Sequence, residues 1–156
     1  MPVSAPPYAG CLLGRQRTFP PRWFTCVSGF VEMGESVESA AAREVREETS
    51  VRCVAVTLLA SQPWPCGRGN SCELMLATAA RAAPDGEQID VHAHAGSTGA
   101  GELEEARWFD RQAARRMVER ASSRATSEPE GELVPPPLAI AYHLVERWCD
   151  GTLAVP

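Results

Sequence analysis

The sequence predicts an α/β fold, a mixed sheet packed between helices, and three observations lead there. Short apolar runs rich in β-branched residues recur along the chain, at Cys11–Gly14, Val51–Ala60 and Cys72–Ala79. Three helical segments lie among them, and interleaved strands and helices argue for a sandwich rather than a bundle. The chain has 156 residues, 44% of them hydrophobic and 22% charged, which is one domain's worth with enough apolar mass for a core.

Residues 1–9 (MPVSAPPYA) are proline-rich and read as a loose arm, leaving 10–152 as the single domain. Cys11–Gly14 is a short strand, and Arg15–Arg22, with Pro20-Pro21, a basic turn. Trp23–Val31 alternates well enough for a half-buried strand ending near Gly29. The turn Met33-Gly34-Glu35-Ser36 breaks that run, and Ser36 can cap an alanine-rich helix that follows. Val51–Ala60 reads as a buried strand, Pro63–Asn70 as a Pro/Gly-rich loop, and Cys72–Ala79 as a returning strand.

Pro84–Gly101 is polar and glycine-rich, with a short strand expected at Gln88–Val91. His92 and His94 sit there with no carboxylate beside them, so they do not make a metal site. Glu102–Asp110 places Ala106, Trp108 and Phe109 as strand anchors, followed by a helix over Arg111–Arg120. Ala121–Glu132 is a Ser/Glu/Pro loop, expected to be mobile. Pro135-Pro136-Pro137 opens a last helix whose stripe Leu138, Ala141, Leu144, Val145 and Trp148 faces the core.

Composition removes several function classes. A net charge of −5 argues against broad electrostatic binding to nucleic acid or anionic membrane, while a nucleotide held through cations stays open. No apolar run approaches the ~18 residues of a membrane span, and the N-terminus lacks a basic-then-apolar signal. Without an SKL-type ending the default expectation is a cytoplasmic protein. The six cysteines are scattered, with no C-x2-C pair, so no zinc is expected.

The chemistry gathers in Gly29–Val51, GFVEMGESVESAAAREVREETSV. At 100° per residue, Glu44, Glu47 and Glu48 share about a third of the helix circumference with Val37, Ala40 and Ala41, whereas Ser39, Arg43 and Arg46 point away. A solvated acidic face is the ordinary reading of such a helix. Here the carboxylates lie on the apolar side, where like charges destabilise the helix unless a divalent cation neutralises them. Hard carboxylate oxygens without His or Cys suit Mg²⁺ or Mn²⁺.

Gly29, five residues, Glu35, seven residues, Arg43-Glu44, Val45, one residue, Glu47-Glu48 resembles the Nudix box, G-x5-E-x7-R-E-U-x-E-E-x-G-U. Ser50 stands where the box has its second glycine, beyond the last acidic residue. The resemblance implies a Nudix α/β/α sandwich. Ser61-Gln62-Pro63-Trp64-Pro65 is similar to the SQPWPFP segment of the NADH pyrophosphatase branch, and PPPLAIA, residues 135–141, to its PPP-x-x-x-A stretch. That branch cuts NAD(H) into nicotinamide mononucleotide and AMP, and some members remove NAD caps from RNA.

The resemblance implies metal ligands at Glu44, Glu47, Glu48, Glu102 and the Ser28 carbonyl, with Glu48 or Glu47 orienting the attacking water. It implies substrate contacts at Phe30, Gln62, Pro63, Trp64, Pro65, Ser71 and Ala141, and structural roles for Gly29, Glu35 and Arg43, the last pairing with a carboxylate such as Glu35. It also implies a dinucleotide substrate, no membrane partner and a tendency to dimerise. Readings left open are another Nudix pyrophosphatase, acting on ADP-ribose, a nucleoside triphosphate or an NAD-capped RNA, and an inactive nucleotide-binding module.

Three departures from the branch bear on these expectations. Cys66-Gly67 replaces Phe-Pro, in a loop that reads a few residues longer. The branch's N-terminal domain and four-cysteine zinc ribbon are absent from this sequence. The branch also has an apolar strand ahead of Leu12-Leu13, which MPVSAPPYAG does not supply, so the sequence reads as truncated at its N-terminus, with a sheet edge left unpaired.

Overall fold

The computed structural model describes residues 3–4, 10–65, 67, 69, 71–93, 102–123 and 130–155. Five strands form one sheet: β1 (Val3–Ser4), β2 (Gly10–Gln16), β3 (Cys53–Trp64), β4 (Glu73–Ala82) and β5 (Leu103–Asp110), in the order β3-β4-β1-β2-β5. The β1–β4 pair is parallel and the other pairs antiparallel, so the sheet is mixed as expected. Three helices, α1 (Val37–Thr49), α2 (Arg111–Ser122) and α3 (Ile140–Cys149), complete the fold.

Strand alternation divides the interior into two cores, one on each face of the sheet. Leu12, Ala80, Ala82, Leu103 and Ala106 join Ala41 and Val45 of α1. Cys11, Leu13, Ala77, Ala79 and Phe109 join Ala114, Met117 and Val118 of α2 and Leu144, Val145 and Trp148 of α3. Each face carries ~25 cal/mol of stabilisation per Å² of apolar surface removed from water. This is the α/β/α sandwich predicted from sequence.

Several local expectations change. Within the nine-residue arm, Val3–Ser4 is not loose: it pairs with Ala80 and Arg81 on one side and Cys11 on the other. Trp23–Val31 is not a regular strand. It is extended, joined to its neighbours by isolated bridges, Thr25 to Gly14 and Trp23 to Leu133, and residues 28–31 are exposed. β3 runs four residues past Ala60, so Pro63 and Trp64, expected in the loop, belong to the strand, with Gln62 opposite Met75 and Trp64 opposite Glu73. As the sheet's outer strand it is also more open than a buried strand should be, with Val54 50% exposed.

No strand forms at Gln88–Val91. Its backbone is used on the end of α1 instead, where Asp90 N–H donates to the Thr49 carbonyl at 2.9 Å and the Asp90 carbonyl accepts from Ser50 Oγ at 3.0 Å. Leu138 lies ahead of α3 and is 63% exposed, and the core-facing stripe continues through Tyr142. Cys66, His94 and residues 124–129 of the Ser/Glu/Pro loop lie outside the described residues. Among the described residues no helix is long and apolar enough to cross a membrane.

Candidate active site

The start of α1 is built as the sequence requires. Ser36 is extended (φ −78°, ψ 161°), and its Oγ accepts from Ser39 N–H, satisfying one of the helix's orphan donors. At the other end Ser50 adopts the left-handed conformation at φ 65°, the one a glycine takes without steric cost, and its N–H closes on the Arg46 carbonyl at 2.8 Å.

Glu44 lies over the backbone of Gly29. A β-carbon at position 29 would overlap the Glu44 carboxyl carbon and both its oxygens, so glycine is required there by contact, not by dihedral angle. Arg43 ties the box together. Its guanidinium bonds Glu35 at 2.6 Å, Glu44 at 2.9 Å, Glu47 at 3.1 Å and the Phe30 carbonyl at 2.9 Å. The helical wheel had Arg43 pointing away from the carboxylates. The long side chain instead curls back over them, as the expected pairing with Glu35 requires.

The charges follow the contacts. The Arg43 hydrogen bond, with help from the Glu32 N–H, holds Glu35 below the usual carboxylate range. Arg43 itself is raised, first by Glu35 and then by Glu44. Glu48 differs from both. It is 7% exposed, and among the described residues neither carboxylate oxygen has a hydrogen-bond donor. Burial first, then Glu102, then Glu44 push its pKa up to about 8. Two ionised carboxylates offer each other no donor, so a Glu48–Glu102 hydrogen bond exists only when one of them carries a proton. Glu102 is brought there because Leu103, the first residue of β5, packs in the same core as Val45 of α1.

Glu44 also lines a cavity of about 490 Å³, a size suited to a small-molecule ligand. One wall is Thr25–Val31, the next Glu73–Thr78 of β4, and the third Ile140, Ala141 and Leu144 of α3, with Val37, Ala40 and Ala41 of α1 closing it. Of the residues expected at the site, Ser28, Gly29, Phe30, Glu44 and Ala141 line this cavity, and Phe30 is 60% exposed. Glu48 sits one helical turn behind Glu44, and Glu47 reaches Arg43 from the outer side.

Gln62, Pro63, Trp64, Pro65 and Ser71 are not brought to that lining. Pro63, Pro65 and Ser71 are exposed and Trp64 half-buried at the end of β3, while Ser71 Oγ donates to Glu73 at 3.1 Å. Both amide atoms of Gln62 are committed to backbone: Nε2 donates to the Leu138 carbonyl and Oε1 accepts from Ile140 N–H, each at 2.8 Å. Sequence reading missed Glu73, Leu74 and Met75 as cavity wall. The charged residue opening the run CELMLATA was the available sign.

The donor set fits a hard divalent cation. Buried oxygens of Glu48 without a donor, facing Glu102 and Glu44, are what such an ion satisfies. Glu44, Glu48 and Glu102 could hold it, with Glu47 and the Ser28 carbonyl adjacent. Among the described residues no group of three or more His, Cys, Asp or Glu side chains is arranged to hold a metal ion, so these carboxylates would have to draw together to bind one.

The sequence model for the NUDIX domain matches residues 5–128. The human NAD-capped RNA hydrolase NUDT12 is 37% identical over 148 residues, 95% of this chain and 28% of that protein. The mouse mitochondrial NAD(P)H pyrophosphatase NUDT13 is 36% identical over 144 residues, 91% of this chain and 38% of that one. The chain thus spans well under half the length of these curated relatives. A NUDIX-family hydrolase from Clostridium perfringens superposes with a TM-score of 0.62 at 12% identity, covering 97% of this chain and 95% of that one, a likeness of fold alone.

Proposed function

The chain belongs to the NUDIX family, and from that premise we propose that it hydrolyses the pyrophosphate bond of NADH or a related dinucleotide, giving nicotinamide mononucleotide and AMP. Members of this family generally use divalent cations such as Mg²⁺ or Mn²⁺. The observation that carries the reading is the buried, donorless Glu48 facing Glu102 behind Glu44, at the wall of a cavity large enough for a nucleotide. The names of the relatives, an NAD-capped RNA hydrolase and an NAD(P)H pyrophosphatase, support the NAD-related substrate class.

Electrostatics supports the need for a cation. Arg43 has its donors committed to Glu35, Glu44, Glu47 and the Phe30 carbonyl, while Glu48 faces the carboxylates of Glu102 and Glu44. A pyrophosphate approaching those carboxylates unaided meets repulsion. Glu44, Glu48 and Glu102, with the Ser28 carbonyl, are the groups that would hold a bound Mg²⁺ or Mn²⁺. Such an ion supplies charge neutralisation for the phosphoryl oxygens and a lowered pKa for water.

The protein's own groups then divide the work. Arg43 keeps Glu35 ionised and fixes Glu44 and Glu47 in place. Glu47 keeps one oxygen on Arg43 and presents a carboxylate, 55% exposed, that can accept the proton of the attacking water. Glu48, once deprotonated, would be one of the groups holding the ion. Phe30 offers an aromatic face at the cavity mouth and Ala141 a small wall residue, so a flat base can lie between the two sides.

Mass spectrometry of products from NADH, with and without Mn²⁺, tests the reading. It requires metal-dependent release of AMP and reduced nicotinamide mononucleotide, well ahead of turnover of ADP-ribose or nucleoside triphosphates. Faster release from NAD-capped RNA would reassign the substrate within the same chemistry. Nucleotide binding by calorimetry without turnover under any metal would mark an inactive binding module.

A further inference from the structure

We propose that Gln62 is a positioning residue that caps α3 from across the fold and so fixes the cavity wall at Ile140 and Ala141. The assignment deepens the proposed function and rests on it only in taking the cavity as the substrate site. α3 begins without a local cap: Ala139 occupies the capping position in an extended conformation (φ −93°, ψ 137°) and has no side-chain acceptor. The preceding Pro135-Pro136-Pro137 lack backbone N–H groups, so that stretch cannot donate to a ladder against a neighbouring strand. The first N–H groups of a helix still need partners.

Gln62 supplies one from 78 residues away. Its Oε1 accepts from Ile140 N–H while its Nε2 donates to the Leu138 carbonyl, both at 2.8 Å. A carbonyl and the N–H two residues on are what a parallel strand offers to the N–H and C=O of one residue beside it, and the primary amide, whose oxygen and one N–H point the same way, takes their place. The other end of the linkage also reaches the cavity. Gln62 pairs in the sheet with Met75, which lines it, and Ile140, whose N–H it caps, lines another wall together with Ala141. Gln62 itself is absent from the lining, so its amide sets the distance between two walls without entering the space between them.

The test uses the full chain and four variants, Ala139→Ser alone among them. Gln62→Met keeps the volume and removes both polar atoms. Gln62→Glu keeps an acceptor for Ile140 N–H and loses the donor. Ala139→Ser, added to Gln62→Met, restores a capping oxygen locally, toward the next N–H groups of the helix. Backbone amide exchange is followed at Ile140–Tyr142, with the KM and kcat for NADH measured alongside.

Gln62→Met should speed exchange at Ile140 about tenfold, the scale of losing one cap, and raise KM by a similar factor with kcat within about threefold. Gln62→Glu should retain most of the protection at Ile140. Ala139→Ser should bring the KM of Gln62→Met and its exchange at Ala141 and Tyr142 back toward wild type while Ile140 stays fast, and alone should leave KM unchanged. Equal exchange in wild type and Gln62→Met, or equal loss in Gln62→Met and Gln62→Glu, would overturn the capping role. Exchange rescued by Ala139→Ser while KM stays raised would show that Gln62 touches substrate after all. The exchange arm needs no turnover, so an inactive wild-type chain would count against the substrate reading and not against the cap.

Discussion

Gly29 and Glu44 occupy the same space to within a side-chain carbon: a β-carbon on residue 29 would overlap the Glu44 carboxyl group. The first and fourth fixed positions of the box are therefore one contact, made by a loop and a helix 15 residues apart. Gly29→Ala should push Glu44 off its position while leaving both cores intact. The expected loss is about 100-fold in metal-dependent turnover, the scale of a 1 Å misplacement at a reacting centre. Activity within a few-fold of wild type would mean that Glu44 has no fixed place in the reaction.

Glu48 gives a prediction that does not involve turnover. In metal-free protein its pKa of about 8 lies above the ~4.3 of an unfolded glutamate, so the folded state holds the proton more tightly. The stabilisation is present in full below about pH 4.3 and is lost as the pH rises through about 8. Glu48→Gln, which cannot ionise, should remove that slope in EDTA and raise stability near pH 8 by roughly 1–3 kcal/mol, the cost of leaving a buried polar group unsatisfied. Parallel melting profiles against pH for the two proteins would contradict the burial of an ionisable Glu48. With Mn²⁺ and NADH the same variant should lose turnover by orders of magnitude.

Arg43 reaches three carboxylates and a carbonyl with one planar group, which an ammonium cannot copy. Arg43→Lys should lower metal affinity or kcat about 10- to 100-fold, as for other residues that orient metal ligands. A larger rise in the KM for NADH, with metal affinity unchanged, would show that Arg43 contacts substrate instead.

Ser50 departs from the box without touching its carboxylates. Ser50→Gly relieves a left-handed residue, worth roughly 1–2 kcal/mol, and forfeits the hydrogen bond to Asp90, worth about 0.5–1.5 kcal/mol. Chemical denaturation should show a net change between about −0.5 and +1.5 kcal/mol, with turnover unchanged. A several-fold change in kcat would connect the end of α1 to catalysis.

Much of this was legible because it is local. Ser36 as a cap and the alanine-rich helix after it follow from spacing within about 20 residues, and the Arg43–Glu35 pair is what the resemblance to the box implies. The two-faced core was legible too, since alternation in β2 sends Leu12 to one side and Cys11 and Leu13 to the other. What failed depends on distant partners. Trp23–Val31 has a strand's pattern, yet residues 28–31 border a cavity where a ladder would need another strand. Gln88–Val91 has its backbone taken by Thr49 and Ser50. Gln62 offered a free amide in sequence and has none in the fold, because α3 starts without a cap of its own.

The central claim, that buried carboxylates of α1 and Glu102 hold a divalent ion, is tested most directly by titrating Mn²⁺ and following the free-ion signal by electron paramagnetic resonance. Wild-type protein should take up Mn²⁺ stoichiometrically at micromolar concentration near pH 8, and Glu48→Gln should bind at least tenfold more weakly. Equal binding by the two proteins, or none by either, would contradict it.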